Sequence, residues 1–335
     1  MRFREATPAD IPAIVALFSG RNTLPLEPAV REALPKLLQR LLASPGCTLT
    51  VFENEERAGL RVVSFVGGMF LREEVVESWL TAPYPGLLAS VLGRVHRGDQ
   101  SLLTLEEVRR ANATDGLDFG VIPVALGRLD WADPSVAQMR KLAPQAFIRA
   151  IGGYRLRSIY YEVFTDEVAA YLQSGGYGLL HDFSSRAGTG SIPPDCRPRM
   201  YRLRADDLPP GAMSMASQMF SPPTAELGLT LAEQRVVLRA LDGASDRSIA
   251  DSLRLSPETV RSNWRSIYRR LGQVLPESGP ASSGDEMARG LEKRRIAVEY
   301  LRQNLHELRP TRCRHLVLIR ILLLIMCAAK VYCQA

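Results

Sequence analysis

The stretch "SPETVRSNWRSIYRRLG", residues 256–272, restricts the possible fold more than any other part of this chain. Val260, Trp264, Ile267 and Leu271 recur at spacings of four, three and four. On an α-helix that spacing lines them up as one apolar stripe, which has to be buried against other elements. Ser256 suits a helix N-cap and Pro257 the first helical position. Arg261, Arg265 and Arg269 fall on the other side, each one turn after the last. The stretch therefore predicts a helix over 257–271 with one greasy face and one strongly basic face. Trp264 belongs to the greasy stripe, so a core role is expected for it.

Two helices upstream have the lengths needed to cover that stripe. Thr230 caps "LAEQRVVLRALDG", in which Val236, Val237, Ala240 and Leu241 face one way and Gly243 ends the run. Ser245 caps "DRSIADSLRLS", with Ile249, Ala250 and Leu253 as its apolar face. A tight turn joins this short helix to the basic one. Two short helices with a tight turn, the second bearing the basic face, make a helix-turn-helix, whose second helix enters the major groove of DNA, and the earlier helix completes a three-helix core.

Residues 229–272 resemble the LuxR-type DNA-binding domain. The matching positions are Leu229-Thr230, Glu233, Gly243, Ile249-Ala250, Leu255-Ser256, Thr259-Val260 and Leu271-Gly272, without a gap. Departures are Leu231, Asn263 and Trp264, where the family often has Pro, His and an aliphatic residue. The resemblance implies that Arg261, Ser262 and Arg265 face base edges, while Arg247, Thr259, Asn263 and Arg269 contact phosphates. Double-stranded DNA is the expected partner. An arginine fork can bond two acceptors of guanine at once, whereas phosphate contacts set register without reading sequence. The surplus of charge, +6 with an isoelectric point of 9.2, permits an anionic partner but does not demand one. Lysine occurs only at Lys36, Lys141, Lys293 and Lys330, an arginine bias that a GC-rich genome accounts for.

Residues 1–205 mix strand and helix signals, so the expected fold class is an α+β domain followed by an all-α domain. "FREAT" reads as a strand, then Asp10 caps a helix carrying Ile14, Leu17 and Phe18. A second helix follows, which Pro35 must bend or restart. "CTLTVFENEERAGLRVVSFVGGMFL" reads as a hairpin, and two or three helices lie between Glu73 and Arg110. "LDFGVIPVALG" is a buried strand, "SVAQMRKLAPQAFIRAIGGY" a helix, "LRSIYYEVF" a strand, "DEVAAYLQSGGYG" a helix and "PRMYRLRA" a last strand. "FREATPADIPAIVALF" resembles the opening of GNAT acetyltransferases. "LRSIYYEVFTDEVAAYLQSGGYGLL" resembles their late strand and helix, with Tyr171, Gly176 and Tyr177 at matching places. The resemblance implies a GNAT-like mixed sheet with helices.

GNAT enzymes hold the pyrophosphate of acetyl-CoA on backbone N–H groups of a glycine-containing loop at a helix start. Here that place has Gly127 alone, with Asp130 and Asp133 bringing negative charge. The expectation is thus a GNAT-like domain without acetyl-CoA, no cofactor and no catalytic residue. The domain then senses a ligand, meets a partner protein or dimerises. The alternative is an N-acetyltransferase with an appended DNA-binding domain. Tyr171 is expected to pack at a helix end rather than to act as a catalytic acid. His96 and His181 stand alone. Glu73-Glu74 and Glu106-Glu107 are expected on solvated helix faces. The five cysteines (Cys47, Cys196, Cys313, Cys327, Cys333) show neither a zinc spacing nor a disulfide framework, so no metal is expected.

Residues 206–226, rich in Pro, Ser and Met, read as a linker between the domain of residues 1–205 and that of residues 227–275. A basic helix over 285–309 follows, with Leu291, Val298, Leu301, Leu305 and Leu308 at a/d spacing and Arg294 interrupting them. Two readings stay open: it joins two copies into a homodimer, or it docks on its own domain. Arg289, Lys293, Arg294, Arg295 and Arg302 on it would add attraction to DNA. The tail, 310–335, is apolar from Leu316 to Ala329 except for Arg320, shorter than the roughly 20 residues that span a bilayer. It reads as an anchor, a packed segment or a frame-shifted end, with the membrane disfavoured. "MRFREATPAD" has no apolar signal-peptide core, and the cytoplasm is the expected compartment.

Overall fold

The computed structural model describes residues 1–18, 26–56, 59–125, 134–188, 192, 196–208, 219–220, 224–274 and 286–309. The chain divides into two compact units, Met1–Pro222 and Pro223–Ala335.

The first unit is built on one mixed sheet of seven strands: β1 (Arg2–Glu5), β2 (Cys47–Glu56), β3 (Gly59–Leu71), β4 (Leu117–Ala125), β5 (Leu156–Val163), β6 (Gly178–Asp182) and β7 (Arg199–Arg204). Their order is β1-β2-β3-β4-β5-β7-β6, and only β4 and β5 run parallel. Alternation along the strands feeds two cores. Val51, Phe65 and Met69 face α1 (Ile11–Leu17), α2 (Pro28–Ala43), α3 (Glu73–Thr81) and α4 (Leu87–His96). Their neighbours Phe52, Val66 and Phe70 face the other way. There they meet α5 (Leu105–Ala113) and α6 (Pro134–Ile151), while α7 (Asp166–Ser174) packs on Val163 and Tyr201. Gly68 lets the ring of Phe119 lie across β3, since a Cβ there would sit 2.1 Å from the ring edge.

Several elements differ from the sequence expectation. The helix α2 runs unbroken through Pro35. Asp10 makes no cap bond to α1. Instead its carboxylate accepts from Thr7 and pairs with Arg4 at 2.7 Å, and the same guanidinium reaches Glu53 on β2 at 2.7 Å. Burial works against that charge on Asp10, but the Arg4 and Thr7 donors outweigh it and hold the carboxyl below its usual range. The strand β6 was not expected, because "GLLHD" is short and Leu179 on it stays half exposed. Tyr171 is 54% exposed, so it does not pack in the core. The turn of α7 that carries it faces outward, while Ala169 and Leu172 face inward.

The second unit is helical: α8 (Leu231–Leu241), α9 (Asp246–Leu253), α10 (Pro257–Val274) and α11 (Glu286–Gln303), with a 3-10 turn at Leu305–Glu307. Thr230 and Glu233 close a reciprocal capping box on α8, and Ser245 Oγ accepts from Ser248 N at 3.2 Å on α9. Val236, Val237, Ile249, Val260, Trp264, Ile267 and Leu271 are all buried in one core, as their spacing implies.

The helix α11 docks on that core through Ala297 and Leu301, with Val298 partly buried, and the 3-10 turn after it adds Leu308, with Leu305 partly buried. The side chain of Leu291 lies outside the described residues, as does the tail 310–335. Arg294, which interrupts the apolar spacing, turns inward. It pairs with Asp246 at 2.7 Å, donates to Ala244 O at 2.9 Å and lies over the Trp264 ring, 5.2 Å from its centre. Glu307 is fully buried, accepting from the backbone N–H groups of Glu226 and Leu227 at 2.8 and 2.9 Å. No helix among the described residues is long and apolar enough to cross a membrane.

Candidate functional site

The turn between α9 and α10 is three residues long. Arg254 opens it in the left-handed region at φ 55°, the only non-glycine residue with positive φ among the described residues. That conformation ends α9 abruptly and redirects the chain into α10. Ser256 Oγ then accepts from Thr259 N at 3.0 Å, capping α10. Trp264 is fixed from behind: its Nε1 donates to Asp246 at 3.1 Å, and Tyr268 stacks on it with ring centres 5.7 Å apart.

With the apolar stripe locked inward, the opposite face of α10 is presented outward. Thr259, Arg261, Ser262, Arg265 and Arg269 are exposed on it, and Arg247 is exposed on α9. Asn263 is half buried, and its Nδ2 donates to Thr259 O at 2.9 Å. Thr259 shares a 2.8 Å hydroxyl contact with Ser256, so both of these side chains are already engaged along the helix. Arg261 pairs with Glu258 at 2.8 Å, Arg265 reaches the same carboxylate at 3.3 Å, and Arg269 contacts Ser266 at 3.4 Å. Arg270 turns away from the row and donates to the carbonyls of Leu227 and Gly228. Glu258 is the charged group that sequence reasoning overlooked. An acid in the first turn of a helix is favoured by the helix dipole in any case, so residue type and position alone do not single it out.

A second feature lies within the first unit. The strands β4 and β5 pair from Leu117↔Leu156 to Val121↔Tyr161 and then part. Beyond that point Ile122 and Ala125 pair with β3, while Glu162 and Val163 pair with β7. A cavity of about 360 Å³ opens beside the divergence, lined by Val121, Met139, Phe147, Tyr161, Tyr171 and Tyr177. Burial pushes the Tyr177 hydroxyl above its ordinary value. Alternation carries Glu162 to the other face of β5. There the carboxylate is fully buried and accepts from Gly86 N at 2.5 Å and Leu87 N at 2.9 Å, at the start of α4. Burial outweighs those two donors and pushes its pKa up to about 7.

Several of the other titratable groups weighed from the sequence have structural partners. Glu73 pairs with Arg157, and Glu106 with Arg110. Glu107 caps α5 through Thr104 and pairs with Arg72. His181 packs edge-on against Trp79. Among the described residues no group of three or more His, Cys, Asp or Glu side chains could hold a metal ion. The loop positions Gly127, Asp130 and Asp133 lie outside the described residues.

No family model matches the chain, and no curated protein matches it either. Solved structures similar to it include a spermidine N-acetyltransferase variant from Vibrio cholerae, 12% identical with a TM-score of 0.35. That match covers 62% of this chain and 98% of that one. A polyamine N-acetyltransferase from Drosophila melanogaster is 16% identical with a TM-score of 0.34, covering 61% and 99%. An Arabidopsis thaliana protein in complex with acetyl-CoA is 8% identical with a TM-score of 0.34, covering 61% and 98%. At values this low the likeness carries no inference about activity, and the α+β architecture stands on the sheet order itself.

Proposed function

We propose that the second unit binds double-stranded DNA, with α10 as the helix that enters the major groove. The observation carrying this reading is the exposed row Arg261, Arg265 and Arg269 on a helix whose other face is fully buried. Arg261, Ser262 and Arg265 read bases, while Arg247, Thr259, Asn263 and Arg269 contact phosphates. The LuxR-type resemblance of residues 229–272 supports the same assignment. In this reading the chain is a transcriptional regulator, and its first unit senses a ligand or meets a partner. Selecting bound duplexes from a random library tests it. Arg265→Ala should relax preference at one position and cost about 1–3 kcal/mol on the selected site. Arg269→Ala should weaken all sequences alike and make the salt dependence shallower by about one. An Arg265→Ala protein with unchanged affinity and preference would remove α10 as the reader.

A second reading is favoured by the parting of β4 and β5 and the exposure of Tyr171 beside the cavity. It makes the first unit a GNAT-like N-acetyltransferase, with Tyr171 as the acid that protonates the leaving thiolate. A ligand that binds only the folded state must raise its melting temperature. Acetyl-CoA should therefore raise the melting of the first unit within the full chain if this reading is right, and leave it unmoved if the unit has another role.

A further inference from the structure

Glu258 stands in the first turn of α10 and heads the arginine row. Its Oε2 accepts from Arg261 Nε at 2.9 Å, and its Oε1 accepts from Arg265 Nη1 at 3.3 Å. One carboxylate is thus shared by the two guanidiniums assigned above to base edges. All three side chains are well exposed, from 59% to 72%. Exposed pairs of this kind add little to stability. What they change is the charge and the posture that the helix offers to DNA. The carboxylate offsets part of the charge open to phosphates, and it aligns both forks along one line of the helix.

In the major groove the balance changes. An ionised carboxylate can only accept hydrogen bonds. Phosphates, guanine O6 and N7 and thymine O4 are acceptors too, and they repel it. The donors in that groove are the N4 amino group of cytosine and the N6 amino group of adenine. Adenine places its N7 acceptor beside that donor, whereas cytosine shows no acceptor there. The N-terminal end of such a helix is the part that meets base edges. We propose that Glu258 is a specificity-determining residue that accepts from the N4 amino group of a cytosine next to the guanine taken by Arg261. It also penalises sequences that leave it facing acceptors alone, so part of the discrimination comes from repulsion. This assignment rests on the DNA-binding reading and names the base class that reading left open.

The test uses the full chain as wild type, Glu258→Gln, Glu258→Ala and Arg265→Ala. Each is put through selection from a random duplex library, then titrated with its selected duplex and with random-sequence duplex at two salt concentrations. Glu258→Gln and Glu258→Ala should bind random duplex several-fold more tightly. Their salt dependence should steepen by about one, because an arginine is released to the phosphates. Their selected sites should lose cytosine at one position, and the ratio of specific to random affinity should fall about tenfold. If the wild type selects a site and Arg265→Ala alters it, but the Glu258 variants keep the cytosine, the assignment is overturned and the DNA reading stands. If the wild type selects no site, both fall together. Circular dichroism of each variant checks that α10 is intact, so a lost preference is not a lost fold.

Discussion

Replacing Trp264 by alanine should lower the stability of the second unit by about 3–5 kcal/mol, the usual cost of removing a buried large aromatic side chain. A unit of this size has little more than that to lose. The ring is 3% exposed, with Tyr268 stacked on it and Arg294 over it. Its removal would leave Asp246 without an indole donor and Arg294 without the surface it lies on. Trp264→Leu refills most of the volume and should recover most of the stability and, on the proposed DNA-binding reading, the DNA affinity. It leaves Asp246 to Arg294 alone. Thermal melting and DNA titration of the two variants decide the matter. A Trp264→Ala protein that melts normally yet loses DNA would mean that the ring acts at the interface.

The second large effect concerns pH and belongs to the first unit. Glu162 holds its proton more tightly in the folded chain, up to about 7, than a free carboxyl does. Folding therefore takes up a proton between roughly pH 4.3 and 7. Stability from this group is fully present below that window, falls as the pH rises through it and is flat above it. The loss amounts to about 3–4 kcal/mol. Glu162→Gln, which imitates the protonated form, should abolish that part of the dependence. Urea unfolding between pH 4.5 and 7.5, followed by exchange protection of the sheet amides, would measure it. The difference between wild type and variant isolates Glu162 from the other acids. Equal slopes in the two proteins would show that the carboxylate is fully compensated by Gly86 and Leu87.

Much of this architecture could be read from residue spacing. The stripe Val260, Trp264, Ile267 and Leu271 needed only the helical period, and all four are buried. The caps Thr230, Ser245 and Ser256 were visible because a cap is local, acting within three residues. Partners far along the chain were not visible. Asp10 looked like a cap, yet its charge is held by Arg4, which also binds Glu53 some fifty residues away on β2. Arg294 looked like a flaw in an apolar pattern, and nothing nearby hinted that Asp246 would receive it. Tyr171 resembled a core aromatic because composition cannot tell which turn of α7 faces out. Glu162 sat inside an apolar strand, where its two backbone donors come from a turn that only the fold brings close.

The clasp formed by Arg294 and Glu307 changes what counts as a transferable piece of this chain. The motif that resembles a DNA reader ends at Gly272, but the structure that keeps it folded runs on to Leu308. Cut after Val274, the Trp264 ring would lose its lid. The backbone N–H groups of Glu226 and Leu227 would lose the carboxylate that satisfies them. Shuffling by recombination, or grafting in the laboratory, therefore has to place its breakpoints before Glu226 and after Leu308. An inheritance unit drawn at the motif edge would carry the arginine row without the frame that aims it.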